Sequence, residues 1–199
     1  MKTNLKLKML LIIIIFSGLN QTLLGQSNFR IDSSKDNKMK ISGTSTFHDW
    51  TMQTATFSGK ATFKINTENQ ISKLVGMEFS LPVLTLKSGQ KKLDKNTYKA
   101  LKTDQFKNIV YKQVSAEVMS SNDSKTHIKT AGKLTIAGVT KDVIIDLYCF
   151  ENKNGNVSCN GNYKINMSDY NVIPPTFMGG IMKTGDAITL EFSILFEKI

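Results

Sequence analysis

Ala55-Thr56-Phe57-Ser58-Gly59-Lys60-Ala61-Thr62-Phe63-Lys64-Ile65 is the stretch on which the reading of the fold turns. Its odd-numbered residues are apolar or small, and its even-numbered ones are Thr, Ser or Lys. A strand sends successive side chains to opposite faces, so this period of two means one dry face and one wet face. The period returns in Val75, Met77, Phe79, Leu81 and Val83, in Val143, Ile145, Leu147 and Cys149, and in Ile188, Leu190, Phe192, Ile194 and Phe196. Polar turn stretches separate the runs: Asn66 to Gln70, Ser120 to Ser124, Ala137-Gly138, Asn152 to Asn156 and Thr184 to Asp186. Long one-sided strands joined by short turns predict an all-β, antiparallel barrel or sandwich.

One segment breaks the period. From Ser88 to Thr103 the apolar residues are Leu93, Tyr98, Ala100 and Leu101, set among Lys, Gln and Asp. That spacing predicts a single short helix lying on a barrel mouth. No repeat or interdomain linker interrupts residues 26–199, which read as one domain, and 199 residues suit one domain better than two. With 40% hydrophobic and 21% charged residues the chain is globular, which excludes a disordered or collagenous protein. Two His and two Cys cannot supply a three-histidine metal site or a zinc ribbon.

Residues 1–25 read as a signal peptide rather than as part of the fold. Lys2, Lys6 and Lys8 precede the apolar run Met9 to Phe16, with Ser17, Gly18 and Gly25 beyond it. The run is too short for a comfortable transmembrane helix, which needs about 20 residues. Export to the periplasm is the expectation. Loss of the three leader lysines takes the formal charge from +10 to +7. Much of that surplus lies in Lys87, Lys91, Lys92, Lys95, Lys99, Lys102 and Lys107, on and around the expected helix. These lysines read either as a solvated helix face or as a weak attraction to an anionic membrane surface. Nucleic acid is not expected, because the run lacks interleaved Arg and stacking aromatics.

The dry faces carry large residues, and Ala55, Gly59 and Ala61 add small ones. A closed barrel of about eight strands either fills its interior with side chains or holds one apolar ligand. The Gly and Ala run leans toward a cavity. A filled barrel serving as an envelope structural or interaction module is the alternative.

Three stretches carry a resemblance. Gly43-Thr44-Ser45-Thr46-Phe47-His48-Asp49-Trp50 is followed by Phe57-Ser58-Gly59. Gly132 to Val143 reads Gly-Lys-Leu-Thr-Ile-Ala-Gly-Val-Thr-Lys-Asp-Val, and Asn166-Met167-Ser168-Asp169-Tyr170 precedes the final strand. Together they resemble the YceI-like family of exported lipid-binding proteins over almost all of residues 28–199. The resemblance implies a lipocalin-like antiparallel barrel with a long apolar channel for a polyisoprenoid chain, such as the tail of an isoprenoid quinone. The commonest form of the family has an Arg-x-(Asp/Glu)-(Phe/Trp)-Gly pattern near the end; here Met167-Ser168-Asp169-Tyr170-Asn171 stands in its place.

On this reading the lipid tail lies between Phe57, Phe63, Met77, Phe79, Ile145, Leu190 and Phe192, and the protein is not an enzyme. Trp50 would either stack on a head group or sit half-buried at a strand end. His48 and Asp49 alternate faces in a strand, so they make a poor proton relay. His127 reads as an ordinary exposed residue, and no metal or obligatory cofactor is expected. Pro174-Pro175 and Gly179-Gly180 bracket Phe177 in a loop that would plug or gate one mouth, with Ile173, Phe177, Met178 and Ile181 covering it. Cys149 and Cys159 flank Asn154-Gly155. A loop centred on Asn154 would oppose them for a disulfide, whereas a two-residue Asn-Gly loop would put the thiols on opposite faces. Two buried thiols are the expectation.

Overall fold

The computed structural model describes residues 25–32, 37–122 and 125–199, with the side chains of Asn122, Phe177 and Met178 outside that description. The expected leader falls on residues 1–25, of which 1–24 lie outside the described residues. The strands are β1 (Gln26–Ile31), β2 (Lys38–Ser45), β3 (Trp50–Thr54), β4 (Ser58–Ile65), β5 (Ile71–Pro82), β6 (Asn108–Asn122), β7 (Lys125–Ile136), β8 (Val139–Glu151), β9 (Val157–Asn166), β10 (Thr176–Phe177) and β11 (Met182–Lys198). The helix α1 (Lys91–Ala100) stands between β5 and β6, inside the range that the broken period marks.

All the strand pairings are antiparallel, and eight strands close a ring in the order β1, β4, β5, β6, β7, β8, β9, β11 and back to β1. Of the barrel and the sandwich that the alternation allows, this is the barrel, as the family resemblance implies. The long β11 does most of the closing. Its last residues pair with β1, Phe196 opposite Ile31, while Thr184 to Ser193 pair with β2. Strand β3 extends β2 at that end, and one bridge, Gln53 opposite Lys87, carries the wall on toward the segment that leads into α1. The buried Asn37 secures the junction of β1 and β2: its amide donates to the Asp32 carbonyl, and its oxygen accepts from the Leu195 N–H at 2.8 Å.

The two barrel ends differ because the connections differ. At one end lie the polar turns between β4 and β5, β6 and β7, and β8 and β9. Here the interior is filled. Phe29, Phe63, Ile71, Leu74, Ile128, Cys149, Val157 and Phe196 are each at most 1% exposed. The rings of Phe29 and Phe63 meet edge-on at 5.4 Å, and those of Phe63 and Phe196 at 5.8 Å, the arrangement that ring quadrupoles favour. At the other end α1, the β2–β3 hairpin and residues 167–181 surround a mouth.

The cysteines correct the expectation of two free thiols: Cys149 and Cys159 form a disulfide, with their Cα atoms 4.1 Å apart. The reason is the loop. Residues 152–156 form a five-residue turn centred on Asn154, closed by the Asn152 N–H donating to the Asn156 carbonyl at 2.8 Å. The Asn152 side chain accepts from the N–H groups of Asn154 and Asn156. That symmetric loop keeps Cys149 directly opposite Cys159 and avoids the one-residue slip.

Candidate functional site

Inward-facing residues in the mouth half of the barrel behave differently from those at the filled end. Met77, Phe79, Ile145, Tyr163, Ile188, Leu190 and Phe192 sit on dry faces of their strands yet remain only half-buried. An interior residue that keeps accessible surface faces space rather than neighbouring atoms. Two such spaces lie along the axis. The upper lies beneath α1 and the lower lies toward the filled end. Ile41, Ile109 and Leu190 line both, so the two spaces adjoin at those residues.

The walls are apolar throughout. Trp50, Leu93, Ala100, Leu101, Tyr170, Val172 and Pro175 are among the residues around the upper space, and Met77, Phe79, Tyr111, Ile145, Phe192 and Phe196 are among those around the lower. Among the described residues no charged side chain lines either. The few polar groups have partners or are held neutral. The Tyr111 hydroxyl pairs with Thr130 Oγ1 at 2.7 Å, and burial keeps its pKa above the ordinary tyrosine value. Burial also raises Tyr163, helped by the nearby Asp169. Tyr170 is pushed up to about 12, by burial first and then by Tyr163 and Asp169. Such a surface offers dispersion contact and dry area, and almost no means of recognising a charge.

The structure distributes the expected site residues between these zones. Trp50 lines the upper space, with its indole N–H donating to the Thr44 carbonyl at 3.1 Å and its ring over Gly43. Met77, Phe79, Ile145 and Phe192 line the lower space, and Leu190 lines both. Phe57 and Phe63 line neither. Phe57 packs against Phe79 at 5.2 Å, and Phe63 belongs to the filled end, where two other rings enclose it. The Phe177 side chain lies outside the described residues.

Other expectations need correcting. Gly59 does not mark cavity space: a Cβ there would sit 2.4 Å from the Glu78 carbonyl oxygen, so glycine is needed for the approach of β4 to β5. Ile173 and Ile181 do not cover the mouth, being 82% and 67% exposed. Tyr170, Val172 and Pro175 line it instead. His48 and Asp49 are exposed in the hairpin and line neither space. His127 is more tied down than expected, with Nε2 2.7 Å from Asp146 and its ring stacked on Tyr148 at 4.8 Å, on the outer wall.

Sequence reasoning missed the residues that α1 contributes. Its inner face supplies Leu93, Thr97 and Ala100 to the upper space, with Leu101 at its C-cap, a stripe at helical spacing that could have been found once the helix was placed. The helix is fastened through Tyr98, whose hydroxyl lies 2.7 Å from the Leu86 carbonyl oxygen and 3.1 Å from that of Leu84, and accepts from Lys87 Nζ at 2.7 Å. Asp94 accepts from the Ser88 hydroxyl and N–H; burial opposes its charge, but those two bonds and Lys87 leave its pKa below the ordinary carboxylate value. Among the described residues no three His, Cys, Asp or Glu side chains gather as a metal site would require.

Comparison with known proteins matches residues 29–196 to the YceI-like domain. No curated protein matches. Among solved structures, BcnA of Burkholderia cenocepacia is similar with a TM-score of 0.66 at 16% identity, covering 83% of this chain and 98% of its own. A polyisoprenoid binding domain from Saccharophagus degradans, implicated in plant cell wall breakdown, gives 0.61 at 10% identity, covering 88% and 100%. The YceI protein of Campylobacter jejuni gives 0.56 at 18% identity, covering 74% and 84%. At these identities the solved structures establish the barrel fold.

Proposed function

Since this chain belongs to the YceI-like family, we propose that its two adjoining spaces together hold one long apolar lipid, an isoprenoid or isoprenoid-quinone tail, and that the protein binds this lipid without transforming it. The observation that carries the reading is the continuous uncharged wall from Trp50 at the mouth to Phe196 at the floor. Each buried methylene contributes about 0.8 kcal/mol. Several isoprene units therefore outweigh the roughly 4–15 kcal/mol cost of association without any charged anchor. The polyisoprenoid binding domain from Saccharophagus degradans shares this fold, which supports the same ligand class here. Selectivity would fall on chain length and thickness where the spaces adjoin at Ile41, Ile109 and Leu190, more than on the head group.

The site of action we propose is the periplasm. The leader-like residues 1–25 support it, and so does a disulfide, which persists in oxidising compartments. Native mass spectrometry of gently prepared protein tests the lipid reading. The expected spectrum carries an extra mass that organic extraction identifies as an isoprenoid lipid. A clean apo mass, together with no uptake of added quinone, would overturn it.

A further inference from the structure

The mouth of the barrel carries two features that the lipid tube does not use. Four large apolar side chains stand in solvent there: Ile173 at 82%, Ile181 at 67%, Phe47 at 65% and Leu84 at 58% exposure. They come from three segments around the same opening: the β2–β3 hairpin, the turn at 83–85 and the connection 167–181. Phe47 is at the tip of the β2–β3 hairpin, which bonds to Lys183 through the Thr46 N–H at 3.0 Å, two residues beyond Ile181. Leu84 is tied to α1 through Tyr98, and Ile173 shares a surface cleft with Asn96, Lys99 and Lys102. Four tips from three segments are more than one chance exposed residue.

Charge completes the pattern. Between residues 87 and 107 seven lysines face two aspartates, a surplus of five. Lys91, Lys92, Lys95, Lys99 and Lys102 are exposed on or just beyond α1, while its inner face lines the upper space. The barrel wall is different: its exposed Val114 and Ile144 flank a ladder of mixed sign, in which Lys129 pairs across to Glu117 and Asp146. The mouth combines protruding apolar tips with a cationic surplus on and around α1. Apolar tips are costly in water and gain area in hydrocarbon, and the lysines beside them match anionic phospholipid head groups.

We infer that this mouth is a docking face for an anionic lipid bilayer, seated with the four apolar tips in the interface and the α1 lysines on the head groups. Docked in that way, the barrel opens its tube directly onto the membrane, so an apolar tail need not cross water. The inference stands on the surface of the mouth and adds a partner to the proposed lipid binding.

Flotation of the full chain with vesicles tests it. Vesicles of phosphatidylcholine with about a third phosphatidylglycerol should carry the protein upward at low salt, and pure phosphatidylcholine should not. Salt at about 0.5 M should release it, because screening shortens the reach of the lysines. Lys95→Glu with Lys99→Glu should lower the partition coefficient at least about 25-fold, from about fivefold per lysine near an anionic surface. Ile173→Ser with Ile181→Ser should lower it about tenfold or more, with an unchanged melting temperature, since both residues are exposed. Lys73→Glu with Lys153→Glu, toward the polar-turn end, should float like the parent. Absence of flotation with anionic vesicles, or flotation indifferent to both mouth variants, overturns the docking face. The readout is independent of cargo, because a protein whose tube takes up no lipid should still float.

Discussion

At Gly59 a single missing atom decides how two strands meet. A Cβ would lie 2.4 Å from the Glu78 carbonyl oxygen and 2.8 Å from Ile31 Cδ1, and the backbone oxygen cannot turn away as a side chain would. Gly59→Leu should therefore cost about 1–3 kcal/mol or more and lower the melting temperature. Gly76 on β5 has nothing within 4 Å of the same position, so Gly76→Ala should be neutral or gain up to about 1 kcal/mol. Thermal denaturation of the two variants side by side checks the contrast. Tyr170 gives a pH signature. Its pKa is about 12 in the folded protein against about 10 when unfolded, so the folded state holds the proton more tightly. The stability it lends is complete below about pH 10 and is lost as the pH rises toward 12. Tyr111 and Tyr163 are raised in the same direction, so Tyr170→Phe should shrink this alkaline loss without abolishing it. Parallel denaturation curves for parent and variant from pH 9 to 12 would show that the hydroxyl is not its source.

Helix α1 is a roof held by few bonds, and none of its residues is fully buried. Tyr98→Phe removes the hydroxyl that meets the Leu84 and Leu86 carbonyls and Lys87. The expected loss is about 0.5–1.5 kcal/mol, with faster hydrogen exchange confined to residues 91–101. Exchange spreading into β7 would instead mean that the roof and wall unfold together. Elements differed in how readable they were. The four long alternating runs and α1 stood out because period two and its interruption are strong signals over eight or more residues. Strands β1 and β3 have six and five residues, too few for alternation to show. In β6 two bulges, beside Val114 and Met119, shift the phase of the pattern, which left this 15-residue strand hard to recognise. The site was half readable for a similar reason. Alternation tells which residues face inward, as it did for Met77 and Phe192. It does not give height along the axis, and height separates Phe63 in the filled end from Phe79 on the tube wall.

The molecule as a whole is a barrel with a solid base and a hollow top, and substitutions should sort by level. Phe196→Ala in the base removes a ring from a fully enclosed layer and should cost about 3–5 kcal/mol. Leu190→Trp, at a half-buried residue that faces both spaces, adds bulk between them, so it should exclude long chains while the melting temperature moves little. Lipid uptake measured against chain length, beside the melting temperature, checks both. A Leu190→Trp protein that still takes up the longest chains would show that they do not pass Leu190.

Strand β11 has a consequence for the order of events during folding. It pairs with β9, β10, β2 and β1, and its contact with β1 joins Phe29 to Lys198 across nearly the whole described chain. Until it docks, β9, β2 and the β1 edge lack their partner, and the wall is missing Ile188, Leu190 and Phe192. Contacts so distant in sequence form late, because the loop entropy must be met before the pairing rewards it. Ring closure is thus a late step in folding, and the cavity comes into existence only when it is complete. In that order a guest enters a finished vessel rather than serving as the nucleus around which the walls assemble.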